Sequence, residues 1–291
     1  MLGMTATTRR LFLAQSAALL PLSKGLFGDP LRANNLGVQL YTVREIIKSD
    51  PLKVLKAIQD IGYQEVEAIY ASLDDIWAAL KQTSLKPVSV HIDESIFGKG
   101  GSELDAALAK SQDHGFKYAV VPYIPPKERG GADMFKRLAD TLNTSAEKAK
   151  AHDLKLCYHN HAFEYRPFGD RTGLDILMDN TQKGLVWLEL DIFWATVGGH
   201  DPVELLKKYS GRIALVHLKD KAKDFTRTQF NEGVPKTAFK EVGNGSIDIP
   251  AVLKAADAAG VEHYFVEQDQ TPGDPIASLR KSFEYLKTQF A

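Results

Sequence analysis

Leu185-Val186-Trp187-Leu188-Glu189-Leu190-Asp191 is followed by Asp201-Pro202-Val203-Glu204, then by Gly211, then by Ile213-Ala214-Leu215-Val216-His217. Two short apolar runs, each closed by an ionisable residue, thus bracket a segment that opens on an acid-proline pair and ends at a glycine. An aspartate before a proline caps and starts a helix, and the acid at Glu204 makes something close to a capping box. A glycine suits the left-handed residue that ends a helix. The stretch therefore reads as strand, helix, strand, the unit of a parallel sheet.

The same unit recurs on both sides. Candidate strands are Gly37 to Tyr41, Glu65 to Ile69, Pro87 to His91, Tyr118 to Pro122, Leu154 to His159, Leu185 to Asp191, Ile213 to His217 and Tyr264 to Glu267. Asp50-Pro51, Asp248-Ile249-Pro250 and Asp274-Pro275 mark further helix starts, and Gly62, Gly115 and Gly260 further helix ends. Eight units in about 255 residues predict a single (β/α)8 barrel over residues 34–291. No Gly-x-Gly-x-x-Gly follows the first strand, which argues against a dinucleotide-binding sheet. The longest irregular stretch, Lys219 to Gly245, is a candidate lid at the barrel mouth.

Thr8-Arg9-Arg10-Leu11-Phe12-Leu13, followed by small and apolar residues to Leu22, has the order of a secretory leader, and the paired arginines resemble a twin-arginine export signal. Its apolar part is about a dozen residues, short of the roughly 20 that span a bilayer. Residues 1–33 are therefore expected to be removed and the barrel exported to the periplasm, with no membrane span. Their loss takes Arg9, Arg10, Lys24 and Arg32 from the 36 basic residues and Asp29 from the 37 acidic ones, leaving 32 and 36. A mildly acidic protein is a poor partner for nucleic acid. The lone cysteine, Cys157, lies in an apolar run and reads as a buried structural thiol.

Active sites of such barrels lie at the C-terminal ends of the strands. Asp191, His217 and Glu267 close the sixth, seventh and eighth runs, and the fifth closes on His159-Asn160-His161 with Glu164 beyond. Buried carboxylates side by side repel unless a cation separates them, so converging Asp, His and Glu side chains predict a divalent metal site. Mixed oxygen and nitrogen donors suit Mn, Mg, Co or Zn.

These residues resemble the xylose isomerase-like superfamily of metal-dependent barrels, the sugar phosphate isomerase/epimerase group. The resemblance is carried by Gly37-Val38-Gln39-Leu40-Tyr41-Thr42-Val43-Arg44, His159-Asn160-His161-Ala162-Phe163-Glu164, Leu190-Asp191-Ile192-Phe193-Trp194, His217-Leu218-Lys219-Asp220, Val242-Gly243-Asn244-Gly245-Ser246-Ile247-Asp248 and Val266-Glu267-Gln268-Asp269. It implies one ion held by a strand-five donor with Asp191, His217 and Glu267. Many relatives have Glu-Asn-His at the fifth strand, so the donor here is His159 or Glu164; hard ions favour oxygen, which points to Glu164. Epimerases of the group often carry a histidine where this chain has Trp194.

The resemblance implies enediolate chemistry, with Glu267 and Glu164 as catalytic carboxylates and Lys219 assisting charge or proton transfer. His91, His159, His161 and Trp194 are candidate substrate contacts, whereas Gln39 and Glu67 line the floor. The expected activity is a metal-dependent sugar or polyol isomerase or epimerase. The alternative is a lyase or dehydratase on a keto-sugar or keto-inositol. An abasic-site endonuclease fits the charge poorly, and a sugar-binding protein without turnover is a further possibility. The partner is a small polyol, and an oligomer is open.

Overall fold

A computed structural model describes residues 36–289. The expected leader, residues 1–33, lies outside them. Eight strands close into a parallel barrel: β1 (Leu36–Gln39), β2 (Glu65–Ile69), β3 (Lys86–His91), β4 (Tyr118–Val121), β5 (Lys155–His159), β6 (Val186–Asp191), β7 (Ile213–Leu218) and β8 (His263–Val266). Their order around the barrel is sequential, with β8 pairing β1. Each agrees with its expected run to within two residues.

Helices alternate with the strands: α1 (Pro51–Ile61), α2 (Leu73–Leu80), α3 (Gly101–Asp113), α4 (Ala132–Ala151), α5 (Gly173–Asn180), α6 (Pro202–Lys208), α7 (Ile249–Ala259) and α8 (Pro275–Lys287). Asp50, Asp201, Asp248 and Asp274 cap α1, α6, α7 and α8, each side chain accepting a hydrogen bond from a backbone N–H of the first turn. The box expected at Asp201 is only half made, because Glu204 turns to Lys207 at 2.8 Å. The reciprocal capping box is at Thr172 and Asp175, which starts α5. No helix among the described residues is long and apolar enough to cross a membrane.

Side chains alternate across a strand, so one set packs outward under the helices and the other fills the barrel. The floor of the barrel is apolar, formed by Val88, Tyr118, Val120, Cys157, Leu215 and Phe265. Cys157 is a free thiol buried in that floor, and burial pushes its pKa well up, which suppresses the reactive thiolate. Two residues further along, the same inward positions turn polar: Leu215 gives way to His217, Phe265 to Glu267, and Cys157 to His159. The period of two thus sets a charged layer on an apolar one.

The stretch Lys219 to Gly245 is more ordered than an irregular lid. Asp220–Lys221 pairs antiparallel with Phe239–Lys240, and Asp220 accepts backbone N–H groups from Lys221, Gly243, Gly245 and Ile247 at 2.8–3.1 Å. A Cβ on Gly245 would lie 2.1 Å from Asp220 Oδ1, so only glycine permits this approach. Replacing Asp220 by alanine leaves several buried donors unpaired and is expected to destabilise the fold by about 3 kcal/mol. Urea unfolding checks this, and a loss below about 1 kcal/mol would show that the loop holds without its clamp.

Candidate metal centre

Register brings the polar strand ends together. Asp191 is level with His217, His217 with Phe265, His159 with Glu189, and Gln39 with Glu67. Alternation then carries the chain inward again at Lys219 and at Asp269, each two residues beyond an inward side chain.

Donor atoms of His159, Asp191, His217 and Glu267 all lie within 4.8 Å of one another, and all four residues are buried. Of the side chains expected to hold an ion, Asp191, His217 and Glu267 therefore converge. Glu164 does not join them. It sits on a turn after β5, where its carboxylate accepts from Tyr158 Oη at 2.7 Å and the His161 backbone N–H at 2.9 Å. Tyr158 packs outward while His159 points inward, so the strand-five side chain that joins the cluster is His159.

Glu164 is wholly buried, and burial pushes its pKa up to about 8 against the hydrogen bonds it accepts. A carboxyl group with a raised folded-state pKa binds a proton on folding, so its contribution is complete at low pH and is lost as pH rises toward about 8. Glu164→Gln should remove this loss, and its melting temperature relative to the parent should climb between pH 5 and pH 8. A difference independent of pH would contradict the neutral, buried state.

Asp191 does two things. Its Oδ1 accepts the Trp194 N–H at 2.8 Å, capping the short helix Ile192–Val197 that directly follows β6. Its Oδ2 stays free of hydrogen-bond geometry although Lys219 Nζ is 2.8 Å away.

Lys219 Nζ also lies 2.6 Å from Glu267 Oε2 and 2.7 Å from Asp269 Oδ1. Burial alone would lower the Lys219 pKa; Asp191, Asp269 and Glu267 overcome it and hold the ammonium form. Burial raises Asp191, and Lys219 only partly reverses that. Burial, with Glu267 and Asp191 against Lys219, brings Asp269 up to about 6.

A deeper layer lies beneath. His217 Nε2 is 2.6 Å from Glu67 Oε1, and His159 Nδ1 is 3.0 Å from Glu189 Oε2. His91 Nε2 is 2.9 Å from each of those carboxylates. Burial opposes the charge on His91, but Glu67 and Glu189 raise its pKa to about 9. Burial and its cationic neighbours keep His159 well below the usual histidine range.

Glu67 Oε2, Glu189 Oε1 and Asp191 Oδ2 are buried acceptors without a hydrogen-bond partner. So many carboxylates around few cations, with orphaned oxygens among them, is an arrangement that a divalent ion relieves. Two oxygens and two imidazoles at one point also make an acceptable donor set. The residues fit a metal.

Above the cluster opens a cavity of about 700 Å³. The candidate substrate contacts His91, His159, His161 and Trp194 line it together with Lys219 and Glu267. Tyr41, Tyr123 and Phe239 form apolar walls, and Asp269 joins the polar floor. His161 Nδ1 and Trp194 Nε1 are buried without partners. Sequence reading passed over Glu189, Asp269 and Tyr41. Glu189 and Asp269 are each two residues from a recognised site residue on the same strand or its continuation, and that spacing alone could have found them.

A (β/α)8 barrel with a metal-type donor cluster at the C-terminal mouth defines a class of metal-dependent barrel proteins. Residues 55–289 match the family described as xylose isomerase-like TIM barrel. The chain is 32% identical over 265 residues to an inosose dehydratase of Geobacillus kaustophilus, covering 80% of this chain and 85% of that one. It is 35% identical over 162 residues to an inosose dehydratase of Clostridium perfringens, covering 53% of this chain and 54% of that one. It thus spans about half the length of the Clostridium perfringens relative. A zinc-bound crystal structure of the IOLI protein superposes with a TM-score of 0.68 at 17% identity, over 88% of this chain and 98% of that one. The chain belongs to the xylose isomerase-like TIM barrel family.

Proposed function

We propose that the protein is a metal-dependent dehydratase acting on a cyclic keto-polyol of the inosose type. The observation that carries this is the meeting of His159, Asp191, His217 and Glu267 with Lys219 wedged among the acids. Relatives named inosose dehydratase supply the substrate class. An isomerase or epimerase shares the first step, but those names and the tryptophan at position 194 favour elimination.

A bound divalent ion supplies Lewis acidity, making the hydrogen next to the substrate carbonyl easier to remove. The ligands would be His159, Asp191, His217 and Glu267. The Glu267 carboxylate takes the proton from the carbon beside the carbonyl. Lys219 Nζ gives a proton to the oxygen leaving the next carbon, so C–H and C–O break, a C=C forms and water departs. Glu267 is then protonated and Lys219 neutral. With 2.6 Å between Glu267 Oε2 and Lys219 Nζ, the proton returns directly and the site is restored. His161 and Trp194, with their unpartnered buried N atoms, face a polyol that can use them.

The test is a metal-supplemented screen of inososes, 3-keto-glycosides and free ketoses, followed by NMR in D₂O. Dehydration of a keto-polyol that stops on chelation is the expected result. Epimerised product with no loss of water would return the protein to the isomerases, and no turnover of any of these compounds would leave a binding protein.

We further propose that residues 1–33 export the barrel to the periplasm, on the strength of Arg9-Arg10 and the short apolar run behind them. Arg9→Lys with Arg10→Lys should retain the protein in the cytoplasm; unchanged export in cell fractions would refute the twin-arginine route.

A further inference from the structure

Glu67 and Glu189 take no part in the chemistry above, yet both are wholly buried behind the histidines of the cluster. His217 directs Nδ1 to Glu267 Oε2 at 2.8 Å and Nε2 to Glu67 Oε1 at 2.6 Å. His159 directs Nε2 toward Asp191 Oδ2 at 3.6 Å and Nδ1 to Glu189 Oε2 at 3.0 Å. Each ring therefore has one nitrogen toward the mouth carboxylates and the other against a deep carboxylate. His91 Nε2 bridges the two deep carboxylates at 2.9 Å, and Gln39 Nε2 donates to Glu67 Oε1 at 2.8 Å.

We propose that Glu67 and Glu189 are positioning residues, resting on the metal reading above. Glu67 holds the proton of His217 on Nε2 and so presents Nδ1 to the cation. Glu189 holds the proton of His159 on Nδ1 and presents Nε2. An ionised carboxylate only accepts, so it fixes which nitrogen carries the hydrogen, whereas an amide can turn either face to the ring. His91 and Gln39 keep the carboxylates from rotating away.

His91, His159, Glu189 and His217 also form a compact donor group. A second ion there would share both histidines with the first, which requires each ring to ligate through both nitrogens. It would also displace the contacts of His91. One ion with a carboxylate behind each imidazole satisfies the same atoms without that conflict.

The experiment is titration of metal-free full-length protein with Co²⁺, reading affinity, stoichiometry and the visible d–d spectrum of the bound ion. Glu67→Gln and Glu189→Gln should each weaken binding about 10–100-fold and alter the spectrum. Ser89→Ala, beside Glu67 in the barrel, serves as control for disturbed packing and should leave affinity within about two-fold. Melting temperatures report folding, and if Glu67→Gln does not fold, Glu189→Gln carries the test. Wild-type affinity and spectrum in the Gln variants overturn the positioning role while leaving the metal site intact. Two ions per wild-type chain overturn it too, since Glu189 would then be a ligand. Failure of the wild type to bind Co²⁺ removes the metal reading itself and the positioning role with it.

Discussion

Replacing Asp191 by asparagine is expected to cut turnover by at least about 10³ while leaving the protein folded. The effect is large because one oxygen of this side chain faces the proposed cation position, and losing a single well-placed electrostatic stabiliser costs about 10²–10³ in rate. Weaker metal binding adds to that. Folding survives because Oδ1 caps Ile192–Val197 through the Trp194 N–H, and asparagine caps a helix about as well as aspartate. Removing one charge from a crowded set of acids also relieves repulsion in the metal-free protein. Asp191→Ala should lose the cap as well and melt lower than Asp191→Asn. Steady-state rates with excess metal, read beside melting curves for both variants, check this. A turnover of Asp191→Asn within about ten-fold of the parent would mean that Asp191 is only a cap.

Lys219→Met should destabilise the metal-free protein by about 3–5 kcal/mol, because removing one partner of a buried ionic group strands the others. Here the stranded groups are Asp191, Glu267 and Asp269, which Lys219 reaches at 2.6–2.8 Å from a nearly inaccessible position. Methionine fills much the same volume, so packing contributes little. A divalent cation returns positive charge to the same carboxylates, and a ligand bound only by the folded state raises its stability. The rise in melting temperature on adding metal should therefore be larger in Lys219→Met than in the parent. Turnover should also fall, since the proposed proton donor to the leaving oxygen is gone. Equal metal-induced shifts in the two proteins would show that Lys219 and the cation do not share these acids.

The barrel was legible in the sequence because its signals are local. Asp50, Asp201, Asp248 and Asp274 each stand at a helix start that the structure realises as a side-chain cap. Gly260, with a φ of 81°, ends α7 in the left-handed conformation that a glycine adopts easily, whereas Gly211 lies in the turn beyond Tyr209, which caps α6. The site was legible only in part. Asp191, His217 and Glu267 end apolar runs, and that pattern is visible without coordinates. Glu164 against His159 could not be decided that way, because the choice depends on which side of β5 faces the barrel, and the preference of hard ions for oxygen pointed to Glu164, which faces away from the cluster. Lys219 to Gly245 reads as irregular because its order comes from Asp220 reaching backbone N–H groups more than 20 residues away. Glu189 is within reach through its two-residue spacing from Asp191, but its pairing with Glu67 is not, since that arises only when β2 and β6 face each other across the closed barrel.

Anomalous diffraction from crystals of the full-length protein grown with Mn²⁺ or Co²⁺ bears most directly on the shared cation. One strong peak is expected at roughly 2.0–2.2 Å from donor atoms of His159, Asp191, His217 and Glu267, with Glu164 turned away toward Tyr158. No peak among those four side chains, or a peak ligated by Glu164 instead, would contradict the site and the chemistry built on it.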